Sequence, residues 1–154
     1  MRIADVRTHV LEAPLTEPFH WSFNETRTRS ACIVEVVADD GTVGFGECFG
    51  PAALNAAIVQ AYASRLVGRD ALATEAIWED LYGAYRDQGQ KGLAVCALSG
   101  VDIALWDLKG KHFGVPVHRL LGGPLRTSVR AYATGTYRVE HGDPLEYIVD
   151  EVAE

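Results

Sequence analysis

Cysteine is scarce in this sequence. The chain has only three cysteines, Cys32, Cys48 and Cys96, and no two of them form a C-x-x-C pair. An odd number of scattered cysteines argues against a disulfide framework and against a zinc site. The simplest interpretation is that they are reduced thiols in the cytoplasm, packed as small apolar side chains.

Long apolar runs and an excess of positive charge are also lacking. No stretch approaches the ~18 consecutive apolar residues of a membrane-spanning helix, and the amino terminus has no apolar signal core. The formal net charge is −7. Because an acidic surface repels phosphate groups and anionic lipids, neither a nucleic acid nor a membrane is expected as a partner.

Short sequence motifs typical of cofactor binding, nucleophilic catalysis or metal binding are missing as well. Gly44-Phe45-Gly46 does not open a helix, so it is not a dinucleotide-binding fingerprint, and no G-x-S-x-G element is present. The histidines are dispersed, without the H-x-x-x-H spacing of a metal pair. What the chain does have is the composition of a globular protein, with 48% hydrophobic and 23% charged residues.

Three strands are predicted to open the chain, because these segments are rich in β-branched residues. They cover Ile3 to Leu11, Ala31 to Ala38 and Thr42 to Cys48. Asp39-Asp40-Gly41-Thr42 predicts a hairpin turn between the second and third strands. The segment from Thr16 to Arg29 is expected to be a loop. The three strands should therefore form an antiparallel meander.

Helices are predicted to follow. They include Leu54 to Leu66, a helix capped by Thr74, a long helix from Leu93 to Phe113, and a short one from Pro116 to Leu121. Strands followed by helices indicate an α+β domain. Gly122-Gly123-Pro124 is the clearest boundary, so residues 1–124 are predicted to be one domain.

Residues 125–154 have a different pattern. Ser128 to Tyr137 predicts a strand, and Leu145 to Val152 has helical spacing. One strand–helix unit cannot bury both faces of its strand, so this unit is expected to be the first of a series.

The long helix carries a family resemblance. Ala97 to Lys111 and the following residues through Gly122 resemble the amino-terminal signature of the mandelate racemase/muconate lactonizing group of the enolase superfamily. Asp40 to Glu47 resembles that group's hairpin and third strand, and Val129 to Ala133 resembles the first strand of its barrel. Within the group, three segments resemble the branch that includes galactarolactone cycloisomerase and sugar-acid dehydratases. They are Gly50-Pro51-Ala52, Val59 to Tyr62 and Asp87 to Leu93.

The resemblance implies a fold and a chemistry. The fold is a three-stranded meander with a helical bundle, acting as a cap in front of a modified TIM barrel. In the family, the barrel holds Mg²⁺ on three carboxylates, and a Lys or His removes the proton α to a carboxylate. A full barrel needs ~250 residues, whereas residues 125–154 suffice for one βα unit. No catalytic residue and no metal ligand is therefore assigned to this chain, which is expected to be inactive alone.

The cap of this family supplies lid loops that close over the barrel and shape specificity. By position, these are Thr16 to Arg29 and Phe49 to Asn55. The residues expected to contact a sugar acid or its lactone are Phe19, His20, Trp21, Phe23 and Phe49, with Tyr137 at the rim of the barrel. Aromatic rings suit the apolar face of a sugar, and His20 could bond a hydroxyl or carboxylate. The alternative is that these aromatic side chains only pack the loops onto the cap.

Three hypotheses about the whole protein stay open at this point. The first is an enolase-superfamily lyase or isomerase (dehydratase, cycloisomerase or epimerase) whose barrel follows in the same chain. The second is a stand-alone module that binds sugar acids, or an assembly partner, without catalysis. The third is a split enzyme with its barrel on another chain. The intact enzyme is expected to be a cytoplasmic homo-oligomer.

Overall fold

The computed structural model describes residues 1–21 and 23–132, and of Trp21 it describes only the backbone. The chain divides into two units. The first contains Met1–Leu11 and Ser30–Pro124, and the second contains Glu12–Arg29 and the residues from Leu125 onward. The predicted division of domains at Pro124 stays a prediction.

The sheet has three strands in the order β1-β2-β3, with β1 at Ile3–Trp21, β2 at Asn24–Ala38 and β3 at Val43–Cys48. β2 and β3 pair antiparallel from Cys32↔Cys48 to Val37↔Val43. β1 and β2 are hydrogen-bonded neighbours with a short connection, so they also run antiparallel. The predicted meander and its turn are confirmed, with Gly41 at φ 85°.

The expected loop from Thr16 to Arg29 is wrong. β1 continues to Trp21 and β2 begins at Asn24, so residues 12–29 form a hairpin arm. The sequence predicts that the first strand ends at Leu11 because Pro14 follows closely, but β1 is an edge strand in which only every second N–H faces a neighbour. Pro14 and Pro18 are an even number of residues apart, so both missing N–H groups point to the same side.

One face of the sheet is buried. Along β2, Cys32, Val34, Val36 and Ala38 are buried, whereas the residues between them are partly exposed. This alternation follows from the two-residue period of a strand. The buried face packs on the helices, so the core lies between one sheet and one helical layer, as the α+β prediction requires.

Four helices follow the sheet: α1 at Ala52–Leu66, α2 at Thr74–Ala84, α3 at Leu93–Phe113 and α4 at Val117–Leu120. The predicted bounds of α3 are confirmed, and Gly114 ends it in the left-handed conformation at φ 65°. Among the described residues, no helix combines the length and the apolar character needed to cross a membrane.

Thr74 is not the N-cap that the sequence predicts. It is the first residue of α2, the N-cap position belongs to Ala73, and no side chain caps the helix. Thr74 is 2% exposed, and its hydroxyl lies 3.4 Å from the ammonium group of Lys109 on α3. The Thr74 side chain therefore contacts α3 instead of capping α2.

β3 and α3 approach each other through glycines. A Cβ atom added at Gly44 would lie 2.6 Å from the Cβ of Leu108, and one added at Gly46 would lie 2.7 Å from the backbone nitrogen of Ala104. Both distances are too short for a real side chain. Glycine at these two positions therefore allows the backbones of β3 and α3 to approach closely, which brings α3 onto the sheet.

The open edge of β3 is covered by side chains from α3. Asp107 Oδ2 accepts a hydrogen bond from the backbone N–H of Phe45 at 2.8 Å, and Lys111 donates to the carbonyl of Val43 at 2.9 Å. Asp107 and Lys111 are also 2.6 Å apart as an i,i+4 pair. These two side chains occupy backbone groups to which another strand could bind.

The strand predicted from Ser128 is not formed over residues 128–132, which have no regular secondary structure. A strand exists only where a neighbour pairs with it, and no described strand pairs with these residues. The rest of the predicted strand, and the helix after it, lie outside the described residues.

Candidate functional site

The connection between β3 and α1 is a turn of three residues, Phe49, Gly50 and Pro51. It is shorter than the predicted loop to Asn55, because α1 already begins at Ala52. Gly50 has φ 100°, which a residue with a side chain rarely adopts. Phe49 is 85% exposed, so the turn presents an aromatic ring to solvent.

Asn55 closes this turn from inside the fold. Its side chain is fully buried, and its Nδ2 donates to the backbone carbonyl of Phe49 at 2.9 Å. Its backbone N–H bonds the carbonyl of Pro51 at 3.1 Å as the first helical bond of α1. One residue therefore ties both ends of the turn to the helix.

A cavity of about 320 Å³ lies in the same unit, between α1, the segment that connects α2 to α3, and the start of α3. Its lining residues are Ile58, Tyr85, Gln88, Gly89, Lys91, Leu93 and Ala94. The ring of Tyr85 contacts that of buried Tyr62 edge-on, at 5.5 Å between centroids, which fixes one wall. An ammonium group and an amide beside apolar walls suit a small anion.

The cavity and the turn are neighbours. A Cβ atom at Gly50 would meet Cδ2 of Leu93, which lines the cavity, at 3.9 Å. Phe49 and the cavity thus flank the same short stretch of backbone at the carboxyl end of β3.

The other predicted substrate residues lie on the hairpin arm. Phe19 and His20 are in the last part of β1 and are partly exposed, and the guanidinium of Arg29 on β2 lies 4.9 Å from the centre of the Phe19 ring. This cation–π contact fixes the ring from one face. The backbone of Trp21 is in the same strand. Phe23 is 90% exposed where the arm turns back.

Phe49 lies in the first unit, whereas Phe19, His20, Trp21 and Phe23 lie in the second. Tyr137 is outside the described residues. Contact of these residues with a substrate stays a prediction.

The described residues do not fit a magnesium site. Within 1–21 and 23–132, no group of three or more His, Cys, Asp or Glu side chains is arranged to hold a metal ion.

Residues 3–122 match the family described as "Mandelate racemase / muconate lactonizing enzyme, N-terminal domain". The chain belongs to this family. The sheet, the four helices and the turn after β3 are thus those of a mandelate racemase/muconate lactonizing enzyme cap, and the resemblance seen in the sequence is confirmed.

Two curated relatives have names that refer to a sugar acid or a sugar-acid lactone. The chain is 53% identical to D-galactarolactone cycloisomerase of Agrobacterium fabrum over 154 residues, which is 100% of this chain and 41% of that protein. It is 42% identical over 118 residues to a Caldivirga maquilingensis protein with the provisional name L-rhamnonate dehydratase, covering 75% of this chain and 28% of the relative.

Solved structures of the family share the fold. The 3,6-anhydro-D-galactonate cycloisomerase of Zobellia galactanivorans has a TM-score of 0.83 at 34% identity, covering 99% of this chain and 39% of that one. An enolase-superfamily protein from Agrobacterium tumefaciens has a TM-score of 0.69 at 31% identity, over 79% of this chain and 37% of that one. The chain thus spans between 28% and 41% of the length of these four relatives.

Sequence reasoning missed the role of Asn55. The pattern that marks it is a polar residue on the apolar face of α1, since Ala52 and Val59 precede and follow it by three and four residues and are both buried. A buried amide needs a hydrogen-bond partner, and the turn after β3 is the nearest irregular backbone.

Proposed function

We propose that this chain is the N-terminal part of a magnesium-dependent enzyme of the enolase superfamily that removes the proton α to the carboxylate of a sugar acid or sugar-acid lactone. The cap described above supplies walls of the substrate site. The catalytic groups are assigned to a barrel outside these 154 residues, either in the same chain or in a partner chain.

One observation carries the proposal. The identity of 53% to D-galactarolactone cycloisomerase extends over all 154 residues, so it includes both segments predicted to face the substrate. The relative with the dehydratase name supports the same substrate class at 42% identity. Cycloisomerisation and dehydration of a sugar acid both begin with loss of the α-proton, so both relatives support one first step.

The cap residues are proposed to bind and shield rather than to react. Phe49 and Phe19 offer apolar surfaces to the carbon-bound hydrogens of a sugar, and His20 offers a hydrogen bond to a hydroxyl or carboxylate. Excluding water around the carboxylate strengthens every electrostatic interaction within the site. Magnesium, when bound by the barrel, would neutralise charge that develops on the carboxylate after loss of the proton.

The test uses the full-length protein in deuterated water with Mg²⁺. A panel of sugar acids and lactones is followed by proton NMR for exchange of the hydrogen α to the carboxylate. Exchange with at least one member of the panel, abolished by a chelator and restored by Mg²⁺, is the expected result. Absence of exchange across the panel with saturating Mg²⁺ would contradict the proposal.

The products separate the reactions that share the first step. A dehydratase product lacks the mass of one water, a cycloisomerase product keeps the substrate mass but differs in its ring, and an epimerase changes only a stereocentre. We expect cycloisomerisation, because the relative with that activity matches the whole chain at the higher identity.

A binding or assembly module without catalysis is the alternative of a different class. It predicts that sugar acids bind the 154-residue chain without exchange of the α-proton, and that the chain is stable and monodisperse. A split enzyme instead predicts co-purification of a barrel-sized partner. The cytoplasmic location and the homo-oligomeric state of the intact enzyme stay predictions.

A further inference from the structure

We infer that Asn55 is a positioning residue that holds Phe49 as a preset wall of the substrate site, so that the turn after β3 is fixed in advance of binding and does not close as a lid. The part of the inference that names a substrate rests on the proposed function. Its structural half, the fixed turn, stands on the contacts of the first unit alone.

The turn after β3 is short and is anchored at both ends. Only Phe49, Gly50 and Pro51 separate β3 from α1. Cys48 pairs with Cys32 across the sheet immediately before the turn, and Pro51 restricts its own φ at −61° immediately before α1. A connection of three residues between two packed elements has little freedom left.

The contact with Phe49 determines the orientation of the Asn55 amide. A backbone carbonyl only accepts hydrogen bonds, so the group of Asn55 that lies 2.9 Å from the carbonyl of Phe49 has to be the NH₂ group. The Oδ1 atom of the same amide is buried and has no hydrogen-bond partner among the described protein groups. An apolar residue would avoid that unfavourable burial. The hydrogen bond to the Phe49 carbonyl is thus the favourable contact that asparagine makes at this position and that an apolar residue could not make.

The hydrogen bond joins a buried side chain to an exposed residue. Asn55 is fully buried, whereas Phe49, whose carbonyl it holds, is 85% exposed. The bond therefore adds little to the core through Phe49 itself, and its effect is to fix the backbone position from which an exposed ring projects. A pre-oriented contact lowers the entropy lost on binding.

The test compares Asn55→Asp with Val59→Ala in the full-length enzyme. Aspartate keeps the shape of asparagine but replaces the donor by an oxygen that faces the Phe49 carbonyl. Val59 is buried on the same face of α1 as Asn55, one turn further on, so Val59→Ala loosens α1 without touching the turn. If Asn55→Asp does not fold, Asn55→Ser, which is too short to reach the carbonyl, takes its place.

The structural readout needs no turnover. Hydrogen–deuterium exchange of the peptide containing residues 48–52 should be faster in Asn55→Asp than in Val59→Ala when the two variants are compared at equal global stability. Equal exchange in the two variants would overturn the inference, whatever the enzyme does.

The functional readout is a KM against kcat comparison with the sugar acid that the enzyme turns over. Asn55→Asp should raise KM roughly tenfold, the effect of one misplaced apolar contact, and leave kcat within about threefold. Phe49→Ala should do the same, and the double variant should be no worse than either single variant. Additive effects on KM would overturn the inference, as would a loss confined to kcat. If no sugar acid is turned over, the proposed function fails, and the exchange experiment still decides whether Asn55 holds the turn.

Discussion

At the scale of single residues, burial controls the chemistry of the cysteines. Cys48 lies opposite Cys32 on the buried face of the sheet, and its Sγ fits over Gly100 of α3. Burial, with Cys32 as a second cause, raises the pKa of the Cys48 thiol to about 12. Because the thiolate is the reactive form, Cys48 should be inert in the native protein.

This makes alkylation a test of the native packing. At pH 8, iodoacetamide should modify Cys96, which is only partly buried, well before Cys32 or Cys48. All three should react at similar rates after unfolding in urea, and peptide mass spectrometry would identify each site. Modification of Cys48 in the native protein at the rate of Cys96 would contradict this packing.

Asp102 gives a prediction about pH. Burial raises the pKa of its carboxyl above the usual 3.8, Glu75 adds to the effect, and a hydrogen bond from Trp106 opposes it. The native state therefore holds this proton more tightly than the unfolded state, and stability falls as the pH rises from about 3.8 through the raised value.

Asp102→Asn removes that titration and keeps an acceptor for Trp106. The variant should be more stable than the parent at pH 7 and equally stable at pH 3. Urea unfolding curves at the two pH values would measure the difference. A variant that is less stable at pH 7 would show that the ionised carboxylate contributes favourably in the folded state.

At the scale of the elements, Gly46 is a close contact between the sheet and α3 at which the nearest atoms are all backbone. A Cβ atom there would lie 2.7 Å from the nitrogen of Ala104 and 3.1 Å from the carbonyl carbon of Gly100, and backbone atoms cannot rotate away. Gly46→Ala should therefore lower the free energy of unfolding by about 2 kcal/mol or more, the effect of overpacking.

Gly83→Ala is the matched control for the same substitution. Gly83 lies in α2, with nothing within 4 Å of an added Cβ atom, and its φ is not positive. Alanine favours a helix over glycine, so this variant should gain up to about 1 kcal/mol. Chemical denaturation of both variants checks the pair, and a loss of stability at both positions would place the cause outside the packing of α3.

These elements differ in how far the sequence could predict them. The bounds of α3 follow from local chemistry, since the apolar spacing ends at Gly114 and nothing competes with the helix. The hairpin arm could not be predicted in the same way, because Pro14 is compatible with a strand only when that strand is an edge. Edge position is a property of the sheet, and it cannot be seen within the segment itself.

In the candidate site, too, some features could be predicted from local sequence and others depend on the fold. Phe49 could be selected as an aromatic residue after a strand, but Asn55 gains its role from a contact across six positions, made through a turn at positive φ. Thr74 shows the reverse case, because its contact with Lys109 removes a capping role that the local sequence favours.

At the scale of the whole molecule, the described core and most of the residues predicted to meet the substrate lie in different parts of the chain. Every buried apolar residue of the described core lies in Met1–Leu11 or Ser30–Pro124, and none lies on the hairpin arm of residues 12–29. The arm instead carries Phe19, His20 and Trp21, three of the residues predicted to meet the substrate.

Shortening the arm tests this separation. In the full-length protein, residues 12–29 are replaced by a Gly/Ser linker of about six residues, which is flexible enough to rejoin two neighbouring strands. Because no core side chain is removed, the melting temperature should change by only a few degrees and the far-UV circular dichroism should keep its helical component. If the proposed function holds, the affinity for the sugar acid should fall by roughly a hundredfold or more, since several contacts are lost together. A shortened protein that unfolds would place the arm in the folding core, and one that binds the acid normally would remove the arm from the substrate site.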